Sequence, residues 1–215
     1  LEQKLALGIT LTHQQTRNEY ALPLFGPFPL TLFGADEDGE VRLSALRLFQ
    51  DWTHRGNRDV FAVRSQFTIG LDALDATVNN DGRPDSRFFA WRGQAQWVRR
   101  LATDTLLLVR GDVQLADDRL LTLEQFGLGG QSTIRGYRQD LLLTDNGVLA
   151  SAEVCIPAVR APEVNGILHV IPFLDIGKGW NRKVEDPDPS TIMGAGLGLQ
   201  WQQDLLTIRL DWGFP

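Results

Sequence analysis

The stretch VFAVRSQFTIGLD, residues 60–72, decides the fold class. Phe61, Val63, Phe67, Ile69 and Leu71 fall on one face, and Arg64, Gln66, Thr68 and Asp72 fall on the other. Successive side chains of a strand point to opposite faces, so a period of two marks a strand with one apolar and one polar side. The pattern continues outward from it. In FFAWRGQAQW (88–97), Phe89, Trp91, Ala95 and Trp97 oppose Arg92, Gln94 and Gln96. In TLLLVRGDVQL (105–115), Leu107, Val109, Val113 and Leu115 oppose Arg110, Asp112 and Gln114. Val148, Ala150, Ala152, Val154 and Ile156 oppose Ser151 and Glu153, and Leu206, Ile208, Leu210 and Trp212 oppose Thr207, Arg209 and Asp211. Between 191 and 202, Met193, Ala195, Leu197, Leu199 and Trp201 oppose Gly194, Gly196, Gly198, Gln200 and Gln202.

The reading predicts an all-β chain with nine strands, near 3–13, 41–53, 60–72, 87–99, 105–116, 147–157, 167–177, 191–202 and 205–213. RLSALRLFQDW (42–52) changes face partway, and a bulge is expected there. Period two alone fits a soluble sandwich as well as a membrane barrel. Strand length favours the barrel, since globular strands usually run about 5–6 residues. The connectors also alternate, long at 14–40, 73–86, 117–146 and 178–190 and short at 54–59, 100–104, 158–166 and 203–204. Short turns at one end and long loops at the other are the rhythm of an antiparallel transmembrane β-barrel of the bacterial outer membrane. Most of the 6 tryptophans lie near strand ends, as an interfacial girdle would. The apolar face is then the lipid face, and Arg110, Asp112, Glu153 and Arg209 line a wet lumen.

Composition removes other classes. A net charge of −6 argues against a nucleic-acid binder, and the single cysteine, Cys155, against a disulfide framework. His13, His54 and His169 are scattered without metal-ligand spacing, so no metal is expected. GAGLG (194–198) lies inside an alternating strand with no helix after it, so neither a nucleotide nor another cofactor is expected. No GxSxG elbow accompanies Ser132 or Ser151, and no catalytic residue is assigned. The acid-rich runs ADEDGE (35–40) and EDPDP (185–189) read as solvated loop tips. The small residues Gly194, Gly196 and Gly198 make room on the polar face for something folded against it. A nine-strand arc leaves two unpaired edges, untenable in lipid, so the chain is expected to be part of a larger barrel domain.

The most informative loop is 117–146, which contains QFGLGGQSTIRGY (125–137). Gly127, Gly129, Gly130 and Gly136 permit tight or left-handed backbone, and Phe126, Leu128, Ile134 and Tyr137 could bury a hairpin tip. Arg135 sits at that tip and calls for a carboxylate, because an unpaired guanidinium in a confined space is costly. In HVIPFLDIGKGW (169–180), Phe173, Asp175 and Gly177 share the polar face, so Asp175 points inward.

EQFGLGGQSTIRGY resembles the (V/I)RG(Y/F) loop signature of outer-membrane assembly and secretion barrels, and FLDIG (173–177) resembles their FxDxG strand motif. With LLTLEQFGLGG before the signature and DNGVLASAEVCIP after it, the chain is most similar to the transporters of two-partner secretion (TpsB type, the haemolysin and filamentous-haemagglutinin secretion barrels). The resemblance runs over about 41–215 and is strongest from 119 to 177. It implies a sixteen-strand barrel with the loop folded inside, Arg135 paired with Asp175, and a secreted exoprotein as partner, moved without ATP. The loop residues it singles out are Gly129, Gly130, Ile134, Arg135, Gly136 and Tyr137, with Phe173, Asp175 and Gly177 opposite. It further implies periplasmic POTRA domains and a final strand that this sequence does not include. A BamA-type insertase and a passive porin are the alternatives within membrane barrels.

Overall fold

The computed structural model describes residues 2–17, 19–22, 26–29, 34–35, 39–79 and 82–215. The elements in chain order are β1 (Glu2–Arg17), the short β2 (Glu19–Leu22) and β3 (Gly26–Pro29), β4 (Glu40–Arg55), β5 (Asp59–Leu71), β6 (Phe89–Ala102) and β7 (Thr105–Ala116). There follow β8 (Phe126–Leu128), β9 (Leu142–Thr144), β10 (Asn146–Ala161), β11 (Gly166–Trp180), β12 (Thr191–Gln203) and β13 (Leu206–Phe214). Nine of these form one antiparallel sheet in the order β1-β4-β5-β6-β7-β10-β11-β12-β13. Each main strand therefore pairs with the next main strand in sequence. The four long connections all leave from one end of the sheet, as the alternation of connector lengths predicts. The acidic positions 36–38 lie outside the described residues.

Ladder register carries the period of two across the sheet. Trp52 pairs with Val63, Val63 with Ala95, and Trp97 with Val109, so one apolar face runs through neighbouring strands. That face is uncovered: Leu5, Leu7, Ile9 and Leu11 are 63–74% exposed, and Leu210 and Trp212 are similarly bare. An apolar surface this continuous is out of place in water and suits acyl chains. Leu197→Arg, near the middle of β12 on this face, is expected to destabilise the folded protein in lipid vesicles by about 2–4 kcal/mol. Urea titration followed by tryptophan fluorescence measures it, and an unchanged midpoint would mean that this face does not meet lipid.

The opposite face is concave. Strands in a sheet lie roughly 4.8 Å apart, so β10 and β13, three strands apart, would stand roughly 14 Å from each other in a flat sheet. Yet Arg209 of β13 donates to Glu153 of β10 at 2.9 Å from the same face. Curvature brings them together. A cavity of ≈ 690 Å³ lies on this face, with Lys4, Arg64, Arg92, Arg110 and Asp112 among its lining.

The bulge expected within 41–53 is not there. β4 keeps unbroken register with β1 from Glu40 to Arg55 and with β5 from Ser44 to Arg55, and shifts occur instead at Arg100/Ala102 and Pro157/Val159. The change of face has another cause. Near the long-loop end Val41, Leu43 and Ala45 point inward and are buried with Ala35, Phe88, Leu120 and Leu121. Loops folded over the inside of the sheet make that end apolar within. On the outside, the Ser44 hydroxyl, fully buried, donates to the Ala73 carbonyl at 2.8 Å.

Candidate functional site

The connection between β7 and β10 folds onto the concave face. A short 3-10 turn (Thr122–Glu124) leads into the β8–β9 hairpin, whose tip runs from 129 to 141. Gly129, Gly130 and Gly136 have φ of +108°, +97° and +100°, which glycine adopts without steric cost. The Gly130 N–H donates to the Ile134 carbonyl at 3.1 Å and the Thr133 hydroxyl to the Gly129 carbonyl at 2.8 Å, closing a tight turn. That turn delivers Ile134 into a small core of Phe126, Leu128, Leu142, Leu149 and Ile192. Gly177 of β11 lies beneath it: a Cβ there would meet Leu128 at 2.8 Å and Ile134 at 3.2 Å. The Tyr137 hydroxyl donates to the Met193 carbonyl at 3.1 Å.

Arg135, one residue beyond Ile134, is turned into the wall and is only 5% exposed. Its Nε donates to Asp175 Oδ2 at 2.7 Å and its Nη2 to Asp175 Oδ1 at 2.8 Å, a bidentate fork on a carboxylate that is itself fully buried. Its backbone N–H adds a third bond to Asp175 at 3.1 Å. Nη1 reaches Glu153 of β10 at 2.8 Å. Below the guanidinium plane lies the Phe173 ring, 3.5 Å from its centroid. Arg209 then binds Glu153 at 2.9 Å and 3.1 Å and Asp211 at 2.9 Å, while Ser151 donates to Asp175 at 2.6 Å. Two guanidinium groups thus share three carboxylates, and each charge has several partners, which offsets the cost of burial.

The backbone comes as close as the side chains. A Cβ on Gly194 would sit on the Arg135 carbonyl oxygen, and one on Gly213 would lie 2.7 Å from the Gly136 nitrogen. Gly136 in turn is pressed against Phe214, whose carbonyl carbon would be 2.8 Å from a Cβ. Arg135, Asp175 and Phe173 are therefore gathered at one point, with Ile134, Gly136, Tyr137 and Gly177 seating the tip and Gly129 and Gly130 shaping its turn. The sequence reading put Glu153 and Arg209 on the inward face without joining them to Arg135, and it gave Ser151 and Asp211 no part. Only the curvature of the sheet brings β13 to β10. Among the described residues no group of three His, Cys, Asp or Glu is arranged to hold a metal ion.

The base of the loop is tied to a different wall. Glu124 pairs with Arg47 of β4, which also donates to the Thr12 hydroxyl. Gln114 of β7 donates to the Glu124 carbonyl at 2.8 Å. Burial pushes the Glu124 carboxyl above its ordinary value, with Arg47 and Arg92 pulling the other way. Asp145, at the far end of the loop, accepts the N–H groups of Leu120 at 2.9 Å and Arg182 at 2.8 Å, joining two connections. Arg47→Glu is expected to expose the amides around Glu124 to hydrogen exchange about tenfold faster, and adding Glu124→Arg to restore protection, with a coupling of about 1–3 kcal/mol. Equal protection in the unaltered protein and both variants would show that the tie carries no weight.

The sequence model of the haemolysin secretion/activation proteins ShlB/FhaC/HecB matches residues 38–201. The outer membrane transporter CdiB of Escherichia coli O6:K15:H31 (strain 536 / UPEC) is 28% identical over 179 residues, 81% of this chain and 30% of the relative. A CdiB of Dickeya dadantii (strain 3937) is 24% identical over 152 residues, 69% of this chain and 27% of that protein. The chain thus spans about a third of the length of these relatives. Among solved structures, CdiB from Escherichia coli superposes with a TM-score of 0.81 at 24% identity, covering 99% of this chain and 38% of that one. BamA from Haemophilus ducreyi lacking POTRA domains 1–3 superposes at 0.63 with 15% identity, covering 99% of this chain and 48% of that one. With the family match spanning most of the wall and the whole infolded loop, the chain belongs to the haemolysin secretion/activation protein family, ShlB/FhaC/HecB.

Proposed function

We propose that this chain is part of the transmembrane barrel of an outer-membrane transporter of two-partner secretion, a sixteen-strand barrel that passes an unfolded exoprotein through its lumen. The observation that carries this reading is the burial of Arg135 between Asp175 and Glu153, at the tip of a loop lying inside the sheet. Narrowing a bore with a loop pinned by charge suits a protein that must widen for one substrate and stay narrow otherwise. The uncovered apolar face supports contact with the bilayer, and family membership supports a secretion role. In this reading Gly129, Gly130, Ile134, Arg135, Gly136 and Tyr137 are the transport loop, and Phe173, Asp175 and Gly177 are its seat. In this reading the protein performs no bond chemistry and uses neither nucleotide nor nucleic acid.

The test is secretion by the full-length gene expressed together with a candidate exoprotein gene. Exoprotein should reach the medium only when both are present, and exoprotein retained in the periplasm despite a correctly inserted barrel would refute the reading. A second reading, a BamA-type insertase, draws on the likeness of fold to BamA. Depletion separates the two, because an insertase would be needed for other outer-membrane barrels to assemble and a secretion transporter would not.

A further inference from the structure

Arg110 of β7 is the one arginine beside the Arg135 cluster to which the described residues give no carboxylate. Its strand neighbours on the inward face are already taken: Asp112 receives Arg92 at 2.7 Å and 3.1 Å and Gln94 at 2.9 Å. Glu153 receives both Arg135 and Arg209. What Arg110 has is a long bond from Nη2 to the Ser151 hydroxyl, 3.4 Å, and a buried Nε without any partner. Burying an N–H of a cation unpaired costs free energy, so such an arrangement persists only where something is gained. Its position shows what that is. Register pairs Arg110 with Ser151, and Ser151 with Asp175. The Ser151 hydroxyl gives its own proton to Asp175 Oδ1 at 2.6 Å. Arg110 is thus one hydroxyl away from the carboxylate that Arg135 holds.

Withdrawing Arg135 would leave Asp175, Glu153 and Asp211 with a single cation, Arg209, in a confined space. Carboxylates stranded in that way are strongly destabilising. We propose that Arg110 is a reserve counter-ion, a positioning residue that takes over Asp175 whenever Arg135 leaves it. The guanidinium needs only to swing past Ser151, which can then accept from it while Asp175 receives the fork. The loop could so be released without the wall beneath it losing charge balance. This rests on the transport reading, in which the loop leaves its seat for the substrate to pass.

The test uses the full-length protein carrying Arg110→Gln, Arg135→Ala or both, with folded fraction read from heat-modifiable mobility and secretion read from the medium. Each single variant should insert within about twofold of the unaltered protein. The double variant should lose about tenfold in folded fraction, and Arg110→Lys combined with Arg135→Ala should recover most of it. Arg110→Gln alone should slow secretion at least threefold. A double variant no worse than Arg135→Ala, a single variant that fails to insert, or normal secretion by Arg110→Gln would each overturn the proposal. An unaltered protein that inserts and secretes nothing would instead sink the transport reading and leave the folded-fraction comparison standing.

Discussion

Arg135→Ala is expected to lower exoprotein secretion by more than tenfold while the barrel still inserts in the membrane. Truncation removes the bidentate fork on Asp175, the bond to Glu153 and the stacking on Phe173 at once. Breaking a buried pair by removing one partner costs about 3–5 kcal/mol, and each 1.4 kcal/mol is about a factor of ten in the seated fraction. A loop so loosened would no longer hold the register that transport uses. Insertion survives because the sheet ladders do not depend on the tip and Arg110 remains one hydroxyl away from Asp175. Asp175→Ala should act in the same direction but less severely, since Arg135 keeps Glu153. Exchanging the two charges, Arg135→Asp with Asp175→Arg, tests pairing directly. The exchange should rescue only in part, because the new aspartate would face Glu153. Secretion unchanged in both single variants would remove the pair from the mechanism.

The second large effect requires no change of charge. Gly194→Val is expected to reduce secretion as strongly as Arg135→Ala. A Cβ at 194 would fall on the Arg135 carbonyl oxygen, and the two methyl groups of valine leave the tip no seat. The rest of the site stays intact, with Asp175, Glu153 and Arg209 still in place. Gly194→Val and the double variant with Arg135→Ala should therefore look alike, since one steric block and one charge deletion unseat the same tip. Fully additive losses would mean that the two residues act separately. Hydrogen exchange across 126–144 would report the unseating independently of secretion. Protection equal to that of the unaltered protein would show the wall yielding to the new side chain instead.

Much of the wall was legible because period two is written locally. Each strand of the large sheet falls within a few residues of its predicted position, and Arg110, Asp112, Glu153, Asp175 and Arg209 share the inward face with no slip of register. The face change at Val41–Ala45 was visible but misread. Its cause is loop packing from sequence-distant Leu120 and Leu121, which no local pattern records. The Arg135–Asp175 contact came from the family resemblance, and inward alternation of Asp175 agreed with it. The partners Glu153 and Arg209 were beyond reach for a geometric reason. Whether β13 comes near β10 depends on curvature summed over three strand pairs, and sequence spacing says nothing about curvature. The Glu124–Arg47 tie was hidden likewise, since a loop's landing place on a distant strand leaves no periodic trace.

Three glycines, at 136, 194 and 213, let the tip of the loop touch the wall backbone to backbone. The tip is thereby a lining of one flank, and its Ser132 and Thr133 border the ≈ 690 Å³ space that opens towards β1, β4, β5, β6 and β7. In hydraulic terms it narrows the bore from one side, as a gatepost does. A polypeptide threading such a bore would slide along the arginine-bearing opposite flank, and the width available to it would be set by how far one hairpin leans.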